Sequence, residues 1–373
     1  MRPLEGIRVL DFSTLLPGPL ATLMLAEAGA EVIKIERPPA GDEMRAYAPR
    51  VGGDSLAFAQ LNRGKRSVAI DLKADGAVER LTPLIRSADV LIEQFRPGVM
   101  DRLGLGFEAL SRINPRLVYC SLTGYGRAGP KAHKAAHDLN YVAESGMLAL
   151  VPREGEAPTL PPALIADIGA GAYPAVINVL MGLLGRAVSG KGCHVDVSMN
   201  DNLLPFMYGA VGEGLGLRRW PRPGLELLTG GSPRYNLYRT RDGRYIAAAP
   251  LEQKFWVNFC EAIGLPEALR DDSKDPAASL AGVARAIAAH SAAHWRRAFD
   301  GVDGCVSVAA TLEEAFNDPH YRARGVFAHS VAVDGRALPA APVPVDASFR
   351  LSPGSLGFPR LGEANDLLDA AKP

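Results

Sequence analysis

The chain has 373 residues, 47% of them hydrophobic, which excludes a disordered class and allows one large core or two domains. Its 41 basic and 41 acidic residues cancel. No long-range field therefore draws the whole protein onto nucleic acid or anionic lipid, and an anionic ligand has to be met by a local basic cluster.

The opening MRPLEGIRVLDFS lacks the apolar run of a signal peptide and passes straight into a strand, so a cytoplasmic protein is expected. Apolar runs predict strands over 7–12, 31–35, 90–93 and 117–122, and helix-period segments predict crossover helices over 19–27 and 77–87. This alternation predicts an α/β fold with an open, doubly wound parallel sheet that meets its ligand at the carboxyl ends of the strands. The first strand runs into STLLPGPLAT and not into a GxGxxG loop, which disfavours a nicotinamide cofactor.

Helical spacing resumes behind His137 through Leu139, Val142, Ala143, Gly146 and Met147, and again over 167–185, with Pro174 a kink and SGKG at 189–192 its stop. The apolar part of that segment, 175–184, carries Asn178 and falls short of the roughly 20 residues of a membrane span, so it reads as a buried helix and no membrane partner is expected. A half-exposed strand is predicted over 193–197. The linker-like RRWPRPG then begins a smaller α/β domain over 218–322, with a strand at 245–249 and helices at 253–263 and 280–299. Residues 323–373, rich in Ala, Val and Pro, read as an extended return segment that completes the large domain begun by 1–217.

A helix starting at Asp138 puts His137 at its amino end. There an imidazole reaches a ligand while the free N–H groups of the first turn face developing negative charge, the pairing that enolisation needs. Taken singly, these residues also have plainer readings: His137 as a polar loop residue, Asp138 and Asp167 as helix caps, Glu252 as an acid in a first helical turn. Arg37, Arg63, Lys65, Arg66 and Arg96 fall at predicted loop positions, where they hold phosphates or are simply solvated. Cys120, Cys193, Cys260 and Cys305 are widely spread and read as small core residues. His133, His194, His290, His294, His320 and His329 show no ligand grouping, so no metal site is expected. No GxSxG elbow supports a serine triad.

The segment AHDLNY resembles the GHDINY segment of the family III CoA-transferases, in their α-methylacyl-CoA racemase branch. The resemblance continues in order through LEGIRVLDFSTLLPGPLAT, IERP, RGKRSVAIDLK, ADVLIEQFRPGVMDRLGLG, LTGYGRAGP, SGKGCHVDVSMND, GGSPRYNLYRTRDGRY and LGEAND. It implies a CoA-binding large domain made from both ends of the chain, a smaller second domain and an interlocked homodimer. The ligand it implies is an acyl-CoA thioester, with CoA part of the substrate and no separate cofactor. By the same resemblance His137 and Asp167 are the acid/base pair and Glu252 orients the imidazole. Ala136, Asp138, Leu139, Asn140 and Tyr141 surround the thioester, while Arg37, a strand of Ile70, Asp71, Leu72 and Lys73, and Arg96 hold the adenosine and phosphates.

Two other activities use the same frame. A CoA transferase would employ Asp167 as nucleophile and carry CoA as an aspartyl thioester, and a silent relative would only bind CoA. Transferases of the family generally lack a histidine at the position of His137, so AHDLNY favours the racemase. Two positions depart from the racemase pattern. Ala163 replaces an asparagine, and Arg234 replaces an aromatic residue, which suggests a carboxylate on the acyl group.

Overall fold

The structure, a computed structural model, describes residues 1–151 and 156–369. The chain divides into two compact units, one of Met1–Ser145, Pro161–Phe206 and Pro319–Pro373, the other of Gly146–Leu160 and Met207–Asp318. The division therefore falls at 206/207 and 318/319, where 217/218 and 322/323 were expected, and it gives 146–160 to the smaller unit. Two local contacts explain the early start of that unit. The Gly224 N–H donates to the Leu150 carbonyl at 2.9 Å, and Gly214 leaves the space that the Trp220 ring occupies.

In the larger unit six strands, β1 (Arg8–Phe12), β2 (Glu31–Glu36), β3 (Arg66–Ala69), β4 (Val90–Glu93), β5 (Val118–Thr123) and β6 (Cys193–Ser198), form one parallel sheet in the order β3-β2-β1-β4-β5-β6. Both faces are covered, so every residue of VLIE and VYCSLT is buried and these strands read as continuous apolar runs without alternation. The order reverses between β1 and β4, which opens a crevice at their carboxyl ends. Helices α1 (Pro17–Glu27), α2 (Leu56–Asn62), α3 (Ala77–Ser87) and α4 (Phe107–Ile113) belong to this unit. The α3 side chains Leu81, Leu84 and Ile85 share a core with Leu10, Ile33 and Leu91. The strand expected over Ile70 to Lys73 ends at Ala69 instead: the Asp71 carboxylate accepts the Lys73 N–H at 3.0 Å and turns the chain.

The segment expected as one helix with a proline kink is a turn at Ile165–Asp167, a π-helical stretch at Ile168–Ala172 and then α6 (Tyr173–Ser189), which follows α5 (Asp138–Glu144) in the chain. Pro174 has no N–H for the Ala170 carbonyl, and the Asn202 amide supplies one at 3.0 Å. The Tyr173 N–H meanwhile reaches back five residues to the Ile168 carbonyl. Gly190, at φ +71°, ends α6 as expected of SGKG. The helix is not buried all round, however. Ala175, Val179 and Arg186 face the protein, while Ile177, Met181, Leu184 and Val188 form an exposed apolar stripe, because only one side of α6 lies against the sheet. Among the described residues Ile165–Ser189 is the one helix whose length and composition would suit a membrane span.

The return segment is more regular than expected. β10 (Ser330–Val333) and β11 (Arg336–Pro339) form a hairpin around Asp334 and Gly335, both at positive φ, and β12 (Ser355–Leu356) pairs with β10. Val331 and Val333 pack on Ala59 of α2.

The smaller unit holds an antiparallel sheet of β7 (Asn236–Arg239), β8 (Tyr245–Ala248) and β9 (Val306–Val308) around a core of Trp256, Phe259, Val283, Ile287 and Trp295. Among its helices are α7 (Gln253–Ala262), α8 (Pro276–Ala288) and α9 (Ala292–Ala298). One helix was expected over 280–299. The break falls where Ser291 caps the His294 N–H and the Asp242 carboxylate draws off the Ala292 N–H. All four cysteines are free. Cys120 and Cys260 are core residues as expected, but Cys193 is half-buried and Cys305 exposed.

Candidate active site

Beneath the crevice lies a dry ionic network. Lys34 on β2 pairs with Asp42 at 2.9 Å, and Lys65 pairs with Asp11 on β1 at 3.1 Å, all four side chains inaccessible to solvent. Lys65 also donates to the Thr22 hydroxyl, the Asn62 side chain and the Pro19 carbonyl. Burial pushes the Lys65 ammonium down to about 8, while Lys34 and Lys65 outweigh burial at Asp11 and hold its carboxyl well below the usual range. Arg63 is buried against Glu27 at 2.7 Å, and Arg66 pairs with Glu31 at 3.2 Å. Lys65 and Arg63 are therefore committed to the interior, while Arg66 keeps a partly exposed side chain in its pair with Glu31. The side chains of Arg37, Lys73 and Arg96, by contrast, are exposed and make no ion pair among the described residues.

Above the network a cavity of about 400 Å³ is walled by Gln94, Phe95 and Arg96 after β4, Thr123 and Tyr125 at the end of β5, Lys134, and four of the expected residues, Ala136, His137, Asn140 and Tyr141, together with Asp167. His137 is the N-cap of α5. Its backbone N–H donates to the Asn140 side chain at 3.0 Å, its carbonyl accepts the Asn140 N–H at 2.8 Å, and the imidazole stands exposed at the cavity wall. The Tyr141 hydroxyl closes the loop by donating to the Ala136 carbonyl at 2.9 Å. Gly124 makes this possible, since a Cβ there would strike the Tyr141 ring.

Asp138 has a part that its place in α5 does not suggest. Its buried carboxylate leaves its own helix and accepts the N–H groups of Ala166 at 2.7 Å and Asp167 at 2.9 Å. One side chain thus caps the helix that carries Asp167 from the first turn of the helix behind His137, fixing both on the same cavity. Asp167 is half-buried there. Burial first, and the Asp138 charge second, push its carboxyl up from 3.8 to about 6, against the opposing pull of His137. Leu139 does not line the cavity; it lies on the exposed side of α5.

A second cavity, of about 290 Å³, is walled by Arg37, Asp71, Leu72 and Lys73 together with Val99, Leu103 and Phe95, the last shared with the first cavity. Three of its walls are thus the chain that follows β2, β3 and β4. Ile70 lies below the surface in the core, 3% exposed, and offers a ligand no side chain. Arg96 belongs to the first cavity and not to this one.

Glu252 is in the smaller unit, where it is the exposed N-cap residue of α7. Arg234 lies in the same unit and is fully engaged. It grips Asp272 through two bonds of 2.9 and 2.7 Å, donates to the Leu251 carbonyl and the Gln253 side chain, and stacks over Trp256. It is a structural clamp for the residues on either side of Glu252, which overturns its reading as the partner of an acyl carboxylate. Ala163 is exposed. Gln94 and Lys134 were not singled out from the sequence, although both sit within three residues of expected site residues, Arg96 and His137.

A family model described as CoA-transferase family III matches residues 4–365. The chain is 35% identical to alpha-methylacyl-CoA racemase of Homo sapiens, over 90% of this chain and 85% of that one. It is 34% identical to acetyl-CoA:oxalate CoA-transferase of Acetobacter aceti, over 92% and 89%. A solved structure of Rv3272 from M. tuberculosis superposes with a TM-score of 0.84 at 30% identity, covering 99% of each chain.

Proposed function

The chain belongs to CoA-transferase family III, and from that premise we propose that it is an acyl-CoA racemase that moves a proton on and off the α-carbon of a 2-methyl-branched acyl-CoA. The observation that carries the reading is the single cavity shared by His137 and Asp167, whose supporting helices Asp138 ties together. Racemisation needs one acid/base on each face of a planar enolate. A carboxyl at about 6 is suited to both giving and taking a proton near neutrality, as a group with an ordinary carboxylate pKa is not. In the proposed cycle one of the pair removes the α-proton while the other returns one to the opposite face. N–H groups in the first turn of α5 stabilise the thioester oxygen, each such donor contributing about 3 kcal/mol. Glu252 is assigned the orienting of the imidazole by resemblance.

CoA is part of the substrate in this reading. Its adenosine and phosphates take the second cavity beside Arg37 and Lys73, and its pantetheine passes Phe95 and Arg96 into the first. The apolar stripe of Ile177, Met181, Leu184 and Val188 supports a homodimer, since a second copy covering it would remove those side chains from water.

The second reading, a CoA transferase with Asp167 as nucleophile, has in its favour the same carboxylate and a transferase among the relatives. One experiment separates the two. A chiral 2-methylacyl-CoA is incubated with the protein in heavy water, with and without a free carboxylic acid. Deuterium entering the α-position with loss of optical purity, abolished in His137→Ala, is the expected result. CoA appearing on the acid without exchange would overturn the proposal.

A further inference from the structure

Behind the cavity wall a line of polar groups crosses three strands, with the Asp101 carboxylate beside it. Arg127 Nη1 lies 3.0 Å from His194 Nδ1, and His194 Nε2 lies 3.0 Å from Ser121 Oγ. Ser121 is paired in register with Glu93, and its hydroxyl lowers the Glu93 carboxyl against the effect of burial. An arginine can only donate, so Nδ1 of His194 is the acceptor and the ring is the neutral Nε2–H tautomer. Nε2–H then donates to Ser121, leaving the serine proton for Glu93. The tautomer agrees with a His194 imidazole pushed down to about 4 by burial and by Arg127. The far oxygen of Glu93, Oε2, accepts the Phe95 N–H at 2.8 Å.

The line therefore ends on the turn that carries Phe95 and Arg96. A buried carboxylate is a poor stabiliser of a fold: burial pushes Glu93 up to about 7, so its charged form is resisted by its surroundings. A small space of about 20 Å³ beside it, bordered also by Arg96, has room for about one water.

We propose that Glu93 is a positioning residue for CoA, which through its bond to Phe95 and the Arg127–His194–Ser121 chain behind it fixes the turn that sets Phe95 between the two cavities and Arg96 on the wall of the first. The proposal rests on the reading of that turn as CoA-binding. The test is the Kd of the full-length protein for free CoA by calorimetry, with thermal midpoints measured alongside. Glu93→Ala is expected to weaken CoA about tenfold or more, the scale of one charge-assisted hydrogen bond. Glu93→Gln keeps an acceptor for Phe95 and is expected to return affinity to within about threefold of wild type. An affinity unchanged in Glu93→Ala, or a loss that Glu93→Gln does not restore, would overturn it. Should Glu93→Ala fail to fold, Ser121→Ala removes only the hydroxyl, and CoA binding equal to wild type would be equally fatal. Wild-type protein that binds no CoA would overturn the CoA reading itself, and the positioning role with it.

Discussion

Replacing Asp167 with asparagine is expected to stabilise the larger unit while abolishing proton transfer. The carboxyl is raised from 3.8 to about 6, first by burial and then by the charge of Asp138. A group raised in this way binds its proton more tightly when folded, so it costs nothing below about pH 3.8. The cost grows as pH rises and is complete above about 6. Each pH unit between those limits is worth about 1.4 kcal/mol, so the full cost is roughly 3 kcal/mol, reduced to about 2 kcal/mol for a side chain still partly in contact with solvent. Asparagine removes the charge and keeps the backbone N–H that Asp138 accepts. For a unit of this size about 2 kcal/mol corresponds to roughly 5 °C in Tm. Scanning calorimetry of both proteins is expected to show that gap at pH 8 and only about 1 °C at pH 4, alongside loss of deuterium exchange. A variant less stable than wild type at pH 8, or a gap that does not change with pH, would refute the argument.

Four further variants have outcomes set by the structure. Asp138→Ala removes the acceptor for two N–H groups and is expected to cost about 1–2 kcal/mol in thermal unfolding. Asp138→Asn keeps the acceptor but not the charge, so the ionisation near 6 in the exchange pH profile should move to lower pH. Arg234→Ala is expected to lower the unfolding temperature of the smaller unit by the equivalent of about 2–3 kcal/mol, since Asp272 loses a two-bond partner. It should leave the preference between acidic and neutral acyl-CoAs within about twofold; a larger change in that kinetic ratio would restore the substrate role. Leu184→Glu puts a charge into the apolar stripe, and a shift from dimer to monomer in light scattering is the expected result.

The parts of the fold that were legible in the sequence are those decided locally. Strands β1, β2, β4 and β5 are buried on both faces, so their apolar runs needed no context, and the Gly190 stop is a property of one residue. The Asp334–Gly335 hairpin was equally local, a DG pair between VAV and RAL, and was obscured by the prolines around it. What local reading misses is competition from elsewhere in the chain. Nothing near 289–291 foretells that Asp242 will take the Ala292 N–H, and nothing near Pro174 foretells the amide of Asn202. The basic residues make the point sharply. Lys65 and Arg37 both fall at predicted loop positions, yet one is buried against the Asp11 carboxylate and the other faces solvent, a distinction made by Asp11, 54 residues from Lys65.

The site itself shows why a plain reading and a catalytic one need not compete. Asp138 is a helix cap, as its position allowed, but the helix it caps is not its own. The same two hydrogen bonds that satisfy the start of the Asp167 helix bring a second carboxylate against Asp167 in a half-buried place, and that proximity lifts its carboxyl toward neutrality. Capping and acid/base tuning are therefore one interaction, read at the backbone in the first case and at the side chain in the second. His137 gains by the complementary route. Its backbone N–H and carbonyl are both engaged by Asn140 at the start of α5, and the imidazole is exposed on the cavity wall. A family resemblance can match these residues one by one, but it is the capping of one helix from the first turn of another that brings His137 and Asp167 to one cavity.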